Sequence, residues 1–166
     1  MSAPETVKTV ALLVAGALTI FLAITDLREK RLPNKLVAAL HLTWLIAGIM
    51  FTVLNPASIS AFLASAVVWV GTALVAFALK IALPRHIGWG DVKLLPALTA
   101  LLTWRCGTAA ILTYAALAAA FLAVHAAVSL IVKKQKNSPA EIPAGPALIA
   151  GFWLAILLFP QLAQTS

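Results

Sequence analysis

Acidic side chains are scarce in this chain. Five occur in 166 residues, and only two of them, Asp26 and Asp91, are aspartates. Charged residues of both signs make up 10% of the sequence, too little to cover the surface of a water-soluble domain. Cysteine is reduced to Cys106, so neither an intramolecular disulfide nor a cysteine-built metal cluster can form. Gly-x-Ser-x-Gly, His-Glu-x-x-His and phosphate-cradling glycine loops are all missing, which leaves serine hydrolase, zinc protease and nucleotide-driven chemistry without support. No polar or Pro/Gly/Ser-rich stretch is long enough to separate two folded units and no internal repeat stands out, so residues 1–166 are expected to form one domain.

What fills the sequence is apolar. With 63% hydrophobic residues and a mean hydropathy of +1.03, the chain reads as an integral membrane protein. Six apolar segments can be marked: Val7 to Thr25, Leu36 to Leu54, Ile59 to Leu83, Ile87 to Trp104, Thr108 to Val132 and Pro146 to Leu162. Each suits a helix crossing a hydrocarbon core of about 30 Å. The first is long and its basic flank follows it, so it is read as a retained span and not a cleaved signal peptide. The fold class is all-α: a polytopic membrane protein with about six transmembrane helices.

A net charge of +7 raises the question of nucleic acid, but the basic residues lie in short loops beside the apolar runs. No nucleic-acid partner is expected; the lipid bilayer is. Arg28, Lys30, Arg31 and Lys35 follow the first span, Lys80, Arg85 and Lys93 surround the third loop, and Lys133, Lys134 and Lys136 follow the fifth span. Ten of the twelve Lys and Arg residues therefore fall on one side, leaving Lys8 and Arg105 for the other. By the positive-inside rule both termini face away from the cytoplasm, and Asp26 and Asp91 both lie at the cytoplasmic face. From Asp91 to Trp104 a helix covers roughly 20 Å, so the fourth span must begin near Gly88-Trp89-Gly90-Asp91 to cross at all.

A carboxylate at the lip of a membrane is costly, and is a functional-site candidate for that reason. Two carboxylates sharing a water can hydrolyse a peptide bond, one taking its proton and the other polarising the carbonyl; such a pair holds a single proton between them. The structural alternatives are an N-cap role for Asp91 and an ion pair of Asp26 with Arg28 or Lys30. That these are the chain's only aspartates, on one side, favours a joint site. Gly88 and Gly90 clear space around Asp91 for a turn or an extended substrate backbone. Lys93 is read as facing lipid headgroups or tuning Asp91, and Glu5, Glu29 and Glu141 as solvated charges. His41, His86 and His125 show no metal-ligand spacing and are read as interhelical or headgroup contacts. The five tryptophans, Trp44, Trp69, Trp89, Trp104 and Trp153, are read as interface anchors or packing, and the alanine-rich fifth span as close helix packing.

Three stretches resemble the type IV prepilin peptidases, aspartic membrane proteases of the GxGD type: DLREKRLPN from Asp26 to Asn34, GWGDVK from Gly88 to Lys93, and PAGPALIAG from Pro143 to Gly151. The resemblance implies Asp26 and Asp91 as catalytic aspartates, with Gly88, Gly90, Lys93, Arg31, Pro33 and Asn34 shaping the site or binding substrate. It implies no cofactor and no metal. The substrate would be a prepilin or pseudopilin whose short basic leader is cut at the cytoplasmic membrane face, with pilus-assembly machinery as a further partner. Only Met1 to Thr6 precede the first span and no Cys-x-x-Cys occurs, so the methyltransferase activity of longer members is not expected. The short form is similar to the peptidases of tight-adherence (Flp/Tad, Cpa) pilus systems, which implies a bacterial inner membrane. The rival expectation is a small proton- or cation-coupled transporter or a pilus-assembly subunit using the same carboxylates; against it, no interrupted helix pair marks a midplane site.

Overall fold

The computed structural model describes residues 2–29, 31–82, 87–136 and 144–159, with the side chains of 125–136 left aside. Six α-helices account for nearly all of them: α1 (Ala3–Glu29), α2 (Asn34–Leu54), α3 (Ile59–Ala82), α4 (Trp89–Cys106), α5 (Ala110–Lys136) and α6 (Gly145–Leu158). A short 3₁₀ turn, Pro56–Ser58, joins α2 to α3. The six apolar segments therefore each become one helix, and the protein is an all-helical polytopic membrane protein. α1, α2 and the stretch from the 3₁₀ turn through α3 are each long and apolar enough to cross a membrane.

Among the described residues α4 sits at the centre. It packs against α3, α6, α2 and α5, while α1 bridges α2 and α6, and α5 lies along α6. From Leu94 to Cys106 nearly every α4 side chain is buried. α4 carries Asp91 and Arg105, which neighbouring helices shield in part, while Lys93 is exposed. The outward faces of α1, α2 and α3 are covered instead with exposed Leu, Ile, Val and Phe, as a lipid-facing surface requires.

Several hydroxyls within the helices find partners within reach. Thr19, Thr43, Thr72 and Thr99 each bond the carbonyl four residues back, which satisfies them inside an apolar helix. Three bonds to hydroxyl groups then cross between helices. Trp44 Nε1 donates to Ser65 Oγ at 3.1 Å, Thr72 and Thr99 meet at 2.9 Å, and Trp153 Nε1 donates to Thr19 Oγ1 at 3.0 Å. Small residues set the closest approach. A Cβ at Gly151 of α6 would stand 2.9 Å from the Ala118 backbone nitrogen of α5, so the alanine-rich face of α5 meets α6 where no larger residue fits. α4 ends on Gly107, whose φ of +82° starts the tight turn into α5.

Candidate active site

Asp26 occupies the last turn of α1, which runs on past its apolar stretch, and is only 5% exposed. A buried carboxylate must be paired or hydrogen-bonded. Its Oδ2 accepts the backbone N–H of Gly145, the first residue of α6, at 3.1 Å. The first turn of a helix has amide donors without intrahelical partners and a partial positive charge, so this is a favourable seat for a carboxylate. A Cβ at Gly145 would come within 2.6 Å of the same oxygen, so a larger residue here would displace the carboxylate.

Asp91 is the third residue of α4. Gly88, not Asp91, takes the N-cap position, in an extended conformation (φ −74°, ψ 146°). The Asp91 carboxylate folds back on it, bonded to the Gly88 backbone and with Oδ2 3.1 Å from where a Gly88 Cβ would lie. This is half of a capping box, a side chain in the first turn reaching back to the cap residue.

The two carboxylates are held in one place by the ends of three helices. Leu32, in the link between α1 and α2, is the common contact. Its side chain lies against Gly90, where a Cβ would be 2.8 Å away, and against Gly145, where a Cβ would be 3.4 Å away. The end of α1 and the starts of α4 and α6 thus converge on Leu32, and the charge of Asp26 acts on Asp91. Tyr114 of α5, 2% exposed, also feels the Asp91 charge, and its hydroxyl has no hydrogen-bond partner among the described residues.

The remaining candidate residues divide. Gly88 and Gly90 lie at the site: a Cβ at Gly90 would collide with Leu32, and one at Gly88 would press on the Asp91 carboxylate. Asn34 begins α2 and its Oδ1 accepts from Lys93 Nζ at 2.9 Å, so this pair ties α2 to α4 beside Asp91. Pro33 is the N-cap residue of α2, and Arg31 points to the exterior. His41 bonds two other helices, while His86, Lys30, Arg85, Glu141, Pro143 and the side chain of His125 lie outside the described residues. Among the tryptophans, Trp44, Trp104 and Trp153 pack or bond internally and Trp89 is 56% exposed. Gly145, Leu32 and Tyr114 escaped the sequence reading as site residues. Each left a faint signal: a glycine before Pro146 at a helix start, one apolar residue inside a basic loop, and the only tyrosine of the chain. Among the described residues no three of His, Cys, Asp and Glu come together as metal ligands.

Two carboxylates within each other's field, each on a backbone amide at a helix N-terminus, can share a proton and orient a water. The sequence profile of the type IV leader peptidase family matches residues 13–128, a stretch that includes both aspartates. No curated protein and no solved structure matches the chain.

Proposed function

The chain belongs to the type IV leader peptidase family, and from that premise we propose that it is an aspartic endopeptidase of the inner membrane that cuts the basic leader of a prepilin or pseudopilin. Asp26 and Asp91 form the catalytic pair. One carboxylate takes a proton from the water between them as the water attacks the scissile carbonyl. The other, protonated, donates to the carbonyl oxygen, and the tetrahedral species then collapses with a proton passed to the leaving amine. Acid and base belong to the pair and not to either residue. No metal or organic cofactor takes part, and the chain lacks the Cys-x-x-Cys associated with methyl transfer.

The observation that carries this reading is the convergence of the α1 end with the α4 and α6 starts, which sets the chain's two aspartates in one electrostatic environment. The basic loops lie at the same ends of the helices, which supports a cytoplasmic site with both termini outside. A substrate whose cleavage point lies just before a hydrophobic helix presents its scissile bond at that depth. Asp26→Asn and Asp91→Asn are each expected to lower leader cleavage by about 10²-fold or more in detergent-purified protein, with unchanged yield. Normal cleavage by either variant would refute the pair. The assay uses no membrane gradient, so a carrier would show no cutting at all.

A further inference from the structure

The first turn of α4 is weakly held by its own helix. Gly88 provides no side-chain cap, and Pro96 has no N–H to donate to the Val92 carbonyl. Beyond the bond of Asp91 to the Gly88 backbone, its hold comes from α2. His41 Nε2 lies 3.0 Å from the Lys93 carbonyl oxygen, two residues beyond Asp91, and Asn34 receives the Lys93 ammonium.

The other ring nitrogen of His41 is also engaged. Trp69 of α3 points its indole N–H at His41 Nδ1, 2.9 Å away, with the two rings edge to face. An indole nitrogen only donates, so Nδ1 is the unprotonated nitrogen and the ring proton sits on Nε2, where it donates to the Lys93 carbonyl. Trp69 is in turn stacked on Trp44, with centroids 6.2 Å apart and planes 10° from parallel, and Trp44 bonds Ser65. Trp69, His41 and the Lys93 carbonyl therefore form one directed line across α3, α2 and α4. With both nitrogens used, His41 has none left for a metal or a proton relay.

We propose that His41 is a positioning residue of the peptidase: fixed in one tautomer by Trp69, it braces the turn of α4 that carries Asp91 and so sets that carboxylate against Asp26. This rests on the reading of Asp91 as half of the catalytic pair. A turn released from its brace would keep its substrate contacts but misplace a reacting group, and displacement by about 1 Å costs up to about a hundredfold in rate.

The test uses purified protein and a prepilin substrate. His41→Phe, which keeps the ring and removes both bonds, is expected to lower kcat about ten- to a hundredfold with KM within about twofold of wild type. His41→Gln, whose amide both accepts and donates, is expected to stay within about threefold of the wild-type kcat. ¹⁵N spectra of histidine-labelled protein, with the His41 signal assigned by its loss in His41→Gln, should show the Nε2–H form, and Trp69→Phe should mix the tautomers and reduce kcat. If His41→Phe does not accumulate, Trp69→Phe and the spectrum carry the test. Wild-type cleavage by His41→Phe, a glutamine variant no better than phenylalanine, or a change confined to KM would overturn the brace. Asp91→Asn separates the two ideas: inert Asp91→Asn beside fully active His41→Phe sinks the brace alone, whereas normal cutting by Asp91→Asn sinks the pair.

Discussion

Gly145 shows how a residue without a side chain can decide whether a carboxylate is placed correctly. Its amide holds Asp26 at 3.1 Å, and any Cβ would meet that oxygen at 2.6 Å. Gly145→Ala is therefore expected to push the carboxylate off its amide and reduce leader cleavage by about 10²-fold, out of proportion to any loss of thermal stability. Kinetics and a melting curve on the same preparation check this, and wild-type turnover would mean that the amide is dispensable. At this scale the sequence is only half legible. The rarity of aspartate in an apolar chain singles out Asp26 and Asp91 from composition alone. Gly145 and Leu32 left only faint local signals and acquire meaning when segments more than a hundred residues apart in the chain are folded together. The N-cap alternative for Asp91 was close to the observed geometry: the carboxylate does bond the helix start, but from inside the first turn, with Gly88 as the cap.

Helix limits read from hydropathy agree with the structure where the apolar run and the helix end together. Leu36 to Leu54 and Ile59 to Leu83 become Asn34–Leu54 and Ile59–Ala82. α1 extends beyond Val7 to Thr25 at both ends, because backbone hydrogen bonding continues after the hydrocarbon-suited residues stop. That continuation seats Asp26 in the helix, directed at α6, and not in a loop. Adjacency is the part that pattern does not encode. The central place of α4 follows from which faces fit, and the contact of α5 with α6 depends on Gly151 lying against the Ala118 backbone. Gly151→Ala puts a methyl against main-chain atoms that cannot swing aside. It is expected to destabilise the protein by about 1–3 kcal/mol, read as a lowered thermal midpoint in detergent. An unchanged midpoint would mean that α5 and α6 separate readily to admit the methyl.

For the whole molecule, the orientation expected from the distribution of Lys and Arg follows from a rule of membrane insertion and not from packing, so it is checked from outside the fold. Arg31 is exposed in the link between α1 and α2, and Ala57 is exposed in the turn between α2 and α3. The native Cys106 is buried and gives little background to thiol reagents. An impermeant maleimide should label Ala57→Cys in intact bacterial cells and Arg31→Cys only in inverted vesicles. The reverse pattern would put the aspartates on the wrong face for a leader. The bond between Asp26 and Gly145 joins residues 119 positions apart, and this separation bears on biosynthesis. As the ribosome feeds the chain into the bilayer, the first aspartate is inserted early and the amide that seats it arrives only with the final span. A chain made only as far as α5 therefore carries this carboxylate without its mounting, and on the proposed reading cleavage waits for α6.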